Sequence, residues 1–394
     1  MNNLNSLFSK IILKPLRKNY LFYIAAFFGL YFNLAILELE NFNLANYLLI
    51  YVLANISISF CDFRFYEKIT VLKSFWTDNE YNDFALFYEV MISLIISIPF
   101  SIYLYYNISF NLIYVIFIIV YTFSNISLAH YSRIKTPSIF EATSLGGNFL
   151  IKLCTYYGVV LFEFNLTLIF SLAILKELIV FFIRIHFLKI NFIIPTKKLT
   201  RKIFFEYRHS LLTSFIKSFR SKIDSLIIYN FSGESTFIFY RKVQIYVNSA
   251  TMLYSPITSR FIKKYANDFS KGIQTNSYFL VNFTLSCLVS LMILSFSIYF
   301  YKSATIYEYI LIFIVCFLNT FVVYPCSTLR YHIAKFDIIH RDNMIMLFSS
   351  IIIYFLYFLN LVSINMFIIL VYSYGILQLI LFNKIRKNYD KKNY

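Results

Sequence analysis

A 394-residue chain that is 59% hydrophobic, with a mean hydropathy of +0.67, excludes a soluble globular domain. Its 36 Lys and Arg against 19 Asp and Glu give a net charge of +17 at pH 7. The five Cys (Cys61, Cys154, Cys287, Cys316 and Cys326) form no CxxC pair, which argues against a disulfide framework or a zinc site. The fold class that follows is all-α, a polytopic membrane protein of about twelve transmembrane helices.

Hydropathy places spans of bilayer length near 20–37, 44–61, 84–103, 111–130, 142–162, 166–186, 209–230, 236–257, 278–299, 306–326, 344–361 and 364–382. Tight turns are expected at 163–165, at 231–235 with Gly233, and at 362–363. Pro99 is expected to kink the third span, while Pro256 and Pro325 fall at span ends, where a break costs little. Lys10, Lys14, Arg17 and Lys18 precede the first span without a small-residue cleavage site after it, so no cleaved signal peptide is expected.

The cations sort by loop. Of the 36 Lys and Arg, 28 lie in the termini, in alternate loops or, for Arg184, at the end of the sixth span. The opposite loops hold Lys302 alone. Both termini are therefore expected on the cytoplasmic side of a bacterial inner membrane. The basic loop PTKKLTRK (195–202) reads as a topology determinant that touches anionic lipid headgroups. It divides the chain into an N-terminal six-helix lobe at 1–190, a basic linker at 191–208, and a C-terminal six-helix lobe with its tail at 209–394. Two lobes around a central cavity are the expected architecture.

Seven cations remain inside spans: Lys152, Lys176, Lys217, Arg220, Lys222, Arg241 and Lys242. Only Glu177 and Asp224 are comparably deep among the acids. A charge at mid-bilayer costs about 2.5–3.5 kcal/mol even on a lenient scale, so such residues face a bundle interior or water. The seventh span puts Ser210, Thr213, Ser214, Lys217, Arg220, Ser221 and Asp224 on one stripe at 100° per residue. The eighth repeats the design with Arg241, Gln244, Asn248, Thr251 and Ser255. In the fifth, Glu141, Ser144, Asn148, Lys152 and Thr155 share a face.

These cations have plainer roles too, and Lys222, off the stripe, can contact another helix. Arg220 and Asp224, four apart, can neutralise each other. Arg241 and Lys242 can snorkel to the outer surface. Lys152 either pairs with Glu177 or Glu141 or contacts a ligand. Lys176, beside Glu177, reads as half of a local ion pair.

The surplus of positive charge selects an anion. Arg offers phosphate a bidentate fork, Lys a point charge, and the neighbouring hydroxyls and amides suit sugar hydroxyls. A diphosphate-linked sugar lipid has both groups. The candidate substrate-binding set is Lys217, Arg220, Asp224, Arg241, Gln244, Asn248 and Lys152. No catalytic constellation, Gly-rich phosphate loop, HExxH or GxSxG is present. The five His (His130, His186, His209, His332 and His340) lie at span ends or in loops, at headgroup level. No metal, resident cofactor or nucleic-acid partner is expected.

The run KIDSLIIYNFSGESTFIFYRKVQIYVNSATMLYSPITSRF, at 222–261, resembles the polysaccharide flippases (Wzx-type) of the multidrug/oligosaccharidyl-lipid/polysaccharide exporter superfamily. The shared pattern is Asp224 before an Ile-rich segment, Gly233 in the turn, Tyr240 early in the next helix, and the close from Pro256 to Ser259. The chain departs from that family after its first span, where LELENFNLANY has no Gly, and after Asp62, which is followed by Phe63 and Arg64. The resemblance implies that a polyprenyl-diphosphate-linked oligosaccharide is moved to the outer leaflet by alternating access, for surface polysaccharide such as O-antigen or capsule. Implied partners are membrane lipids and the polymerase and glycosyltransferases of the same pathway. Coupling to a proton or sodium gradient is compatible with this reading, with Asp224 and Glu177 as candidate carboxylates and nothing to select between them. An inside-negative potential would favour export of a dianion by about 2.3 kcal/mol per charge per 100 mV.

Two rivals stand beside this reading. A membrane polysaccharide polymerase would carry a long outer loop with catalytic arginines, and every outer loop here is about ten residues or shorter. A cation-coupled drug exporter on the same fold would prefer acidic residues where this chain has basic ones.

Overall fold

The computed structural model describes residues 20–39, 43–61, 78–108, 111–126, 143, 146–188, 196–197, 201, 223–270, 276–302, 304–323 and 336–390. Among these the chain is helical, with no strand. In order, the helices are α1 (Tyr20–Leu37), α2 (Leu44–Cys61), α3 (Asp78–Asn107), α4 (Leu112–Ser124), α5 (Gly147–Phe162), α6 (Leu166–Leu188), α7 (223–232), α8 (Glu234–Ser270), α9 (Asn276–Phe300), α10 (Ile306–Leu318), α11 (Phe336–Phe358) and α12 (Ile364–Asp390). Each falls on one of the expected spans. Among the described residues, Leu44–Cys61, Val90–Asn107, Leu166–Leu188, Leu280–Phe300 and Ile306–Val323 are long and apolar enough to cross a bilayer. The protein is an all-α, multi-pass membrane protein.

The helices differ from the spans in ways that bear on function. α3, α8, α11 and α12 continue past their apolar limits into polar sequence, α8 running to Ser270 straight through position 256. Pro256 is thus inside a helix rather than at its end, and Pro325 lies outside the described residues. α3 likewise continues through Pro99. α4 is shorter than its span: it ends at Ser124 after 13 residues, about 20 Å of rise. α10 gives way to a π-helical turn, Asn319–Val323, where one hydrogen-bonded ring is wider than in an α-helix.

The turns are tight. Glu163 (φ 50°) and Asn360 (φ 54°) take left-handed conformations at two of them. Between α7 and α8 the link is Gly233 alone, at φ 85°. Nothing lies within 4 Å of where its Cβ would be, so Gly233→Ala costs backbone strain only, about 1 kcal/mol. Thermal unfolding of the purified variant should show a small loss, and Gly233→Asn a smaller one.

The chain divides into two compact units, Tyr31–Ile238 and Phe239–Tyr394, the latter joined by the chain up to Leu30. In the first, α2 is buried along most of its length, from Leu44 to Cys61. Tyr51 packs its ring against Phe117 of α4 at 5.1 Å and Phe170 of α6 at 5.6 Å, and Phe117 meets Phe170 at 4.7 Å. In the second, Tyr240 of α8 and Tyr354 and Tyr357 of α11 surround Phe367 of α12, which is fully buried. Large aromatic side chains therefore do the packing in a chain with seven Gly.

Candidate functional site

Within Tyr31–Ile238, α4 and α6 run side by side and parallel. Asn111, the N-cap of α4, donates from Nδ2 to Thr167 Oγ1 at 3.0 Å near the start of α6. At its other end, Ser124 Oγ donates to Glu177 Oε2 at 2.5 Å. Glu177 is near the middle of α6, so α4 stops about half-way along its neighbour.

That helix end meets a charged cluster. Glu177 is 2% exposed and Arg184 1%. They lie seven residues apart, two turns along one face of α6. Arg184 Nη1 donates to the Ser124 carbonyl at 2.5 Å, capping the C-terminus of α4, where carbonyls lack intrahelical donors and the helix dipole favours a cation. Asn125 Nδ2 donates to Glu177 Oε2 at 3.0 Å. Lys176 Nζ lies 2.5 Å from Glu177 Oε1 and also donates to Asn148 Oδ1 of α5 at 2.8 Å. Gly147 makes room for this contact: a Cβ there would meet Lys176 Cε at 3.1 Å.

Within Phe239–Tyr394, Arg241 Nη1 donates to Gln244 Oε1, and Gln244 Nε2 donates to Tyr240 Oη at 2.8 Å. Two to three turns on, Asn319 Nδ2, at the start of the π turn, donates to Thr251 Oγ1 at 2.6 Å. Tyr254 Oη donates to Asn282 Oδ1, and Asn282 Nδ2 donates to the Phe321 carbonyl inside the π turn at 2.8 Å. Polar side chains of α8 and α9 thus hold the wider turn of α10. Lys242 lies 4.5 Å from the ring centroid of Tyr301, in the α9–α10 turn, a cation–π contact in keeping with the snorkelling role.

The expected binding residues distribute as follows. Arg241 and Gln244 are brought together, and Asn248 is exposed on α8. Asp224 is buried in α7 and accepts from the Ser225 N–H at 2.8 Å. Lys152 is half-buried on α5, one turn from Asn148. Lys217 and Arg220 lie outside the described residues, as do Glu141, Ser144 and all of the linker at 191–208 apart from 196–197 and 201. The expected Lys176–Glu177 pair is present. Ser124, Asn125 and Arg184 were not anticipated. By loop position Arg184 counts among the topology-setting cations, and the one signal in the sequence for its buried role is the seven-residue step from Glu177.

No family model matches the chain, and no curated protein matches it. Solved structures do, two of them transporters seen in opposite states. One is the inward-facing conformation of a multidrug resistance MATE family transporter of the MOP superfamily, at a TM-score of 0.61 and 10% identity, over 95% of this chain and 92% of that one. The other is an outward-facing conformation of such a transporter, at a TM-score of 0.55 and 10% identity, over 97% and 95%. The chain has their fold. The likeness runs through nearly the whole of both chains, so the twelve-span reading and the shared fold rest on the same residues.

Proposed function

We propose that this chain is a flippase that moves polyprenyl-diphosphate-linked oligosaccharide units from the cytoplasmic to the outer leaflet of a bacterial inner membrane by alternating access, with both termini cytoplasmic. It is a transporter and not an enzyme in this reading. The carrying observation is the sign of the charge inside the spans. With Arg184 buried in α6, eight Lys and Arg stand within spans against four acids, of which Glu177 and Asp224 lie deep and Glu89 and Glu308 lie near span ends. Arg184, Lys242 and Lys176 have partners in a carbonyl, a ring and a carboxylate, and the rest of the surplus is tolerated where water or an anion meets it. Alternating access draws support from a fold that others have captured facing inward and outward. The substrate-binding set is Lys217, Arg220, Asp224, Arg241, Gln244, Asn248 and Lys152, supported by the Arg241–Gln244 contact, where an amide orients a guanidinium.

A second reading, export of drugs, is favoured by one observation: the two similar structures named above are multidrug resistance transporters. The deciding experiment locates the lipid-linked sugar in cells depleted of this protein. Units that stay exposed to the cytoplasm support the flippase. Single units that reach the outer leaflet and remain unpolymerised point to a polymerase instead. Normal glycan together with new drug sensitivity makes the protein a drug exporter.

A further inference from the structure

We propose that Lys176 is a shared cation, held by Glu177 when the protein is empty and yielded to the diphosphate of the passenger, so that Glu177 is a built-in competitor of the substrate. The inference rests on the anionic-passenger reading and deepens it.

Lys176 is the open end of a closed cluster. Its ammonium carries three donors, and two are engaged, by Glu177 Oε1 and Asn148 Oδ1. The third has no protein partner among the described residues. The side chain is 14% exposed, while that of Glu177 is 2% exposed. A ligand can therefore reach the lysine without reaching the carboxylate. Lys152 stands four residues after Asn148, on the same face of α5, which brings a second cation to that side. Like charges gathered in a poorly polar medium repel, and a bound dianion relieves the repulsion.

Glu177 is built to let go. Its Oε2 keeps the Ser124 hydroxyl and the Asn125 amide whether or not Lys176 is present. Arg184, bonded to the carbonyl of the same Ser124, supplies a second positive charge that stays behind. A carboxylate with these neighbours is not stranded when the lysine swings away. A lysine suits the exchange, since its rotatable point charge accepts any acceptor geometry, whereas a guanidinium is tied to its fork. Binding then costs the Lys176–Glu177 pair, which keeps the affinity low enough for the passenger to leave.

The test uses farnesyl diphosphate, a short prenyl diphosphate, and calorimetry on the purified full-length protein in detergent. Glu177→Gln should bind it about threefold to tenfold more tightly than the unmodified protein, the range expected when one competing charge–charge contact is removed. Lys176→Gln should bind about tenfold more weakly, and the gain from Glu177→Gln should vanish in the double variant. Glu177→Asp, which shortens the reach by one methylene, should show a gain of about twofold and serves if the Gln variant does not fold. If the unmodified protein binds and neither Glu177 variant binds more tightly, the competitor role is wrong and the passenger reading stands. A gain that persists without Lys176 also overturns it. If the unmodified protein does not bind farnesyl diphosphate, both fall.

Discussion

Arg184→Met should destabilise the purified protein by about 3–5 kcal/mol, more than any other cation substitution among the described residues. The side chain is buried and donates to the last carbonyl of α4. α4 covers about 20 Å, while the hydrocarbon core is about 30 Å thick. Ser124 itself is fully buried, so its carbonyl left bare costs about 1–3 kcal/mol. Removing the guanidinium also takes a positive charge from beside Glu177. Met preserves most of the volume, so the loss reports polar contacts rather than a cavity. Arg184→Lys keeps the charge but loses the planar fork and its longer reach, and about half of the stability should return. Lys242→Met is the comparison: its cation–π contact with Tyr301 is half-exposed and worth about 1 kcal/mol or less. Thermal unfolding in detergent ranks the variants, and equal losses for Arg184→Met and Lys242→Met would remove the capping role.

The span count was legible because bilayer thickness sets the length of an apolar run, and Tyr20–Leu37, Leu44–Cys61 and Leu166–Leu188 stand where hydropathy puts them. Helix ends were less so. Hydropathy reports the solvent and not the helix, so the polar stretch RFIKKYANDFS looked like a loop although α8 continues through it. The early end of α4 was hidden for the opposite reason. Ile126, Leu128 and Ala129 prolong the apolar run, while the helix stops where Glu177 and Arg184, more than fifty residues later, offer its end better partners than another turn would. Contacts inside one helix were readable from spacing along the chain, a three-residue step for Arg241 with Gln244 and adjacency for Lys176 with Glu177. Contacts between helices were not: Thr251 with Asn319 and Tyr254 with Asn282 follow no period, and a lone Asn in an apolar span does not announce its partner.

Alanine at Lys217 or Arg220 should cut flipping about tenfold or more while leaving the amount of folded protein unchanged. A hydrogen bond to a charged group contributes about 1.5–3 kcal/mol, and about 1.4 kcal/mol is already a factor of ten. Arg220 has the larger expected effect, since its planar fork matches two phosphate oxygens at once; Arg220→Lys should fall between the two extremes. The rival role for Arg220 is to neutralise Asp224, four residues on and buried in α7. The two roles separate cleanly. If Arg220 serves Asp224, then Arg220→Ala strands a buried carboxylate, lowers the yield of folded protein, and is rescued by Asp224→Asn. If it serves the passenger, yield holds, flipping falls, and Asp224→Asn restores nothing. The measurement is the accessibility of lipid-linked sugar to an impermeant lectin in proteoliposomes carrying each variant. Full flipping by both alanine variants would end the case for a phosphate-binding stripe on the seventh span.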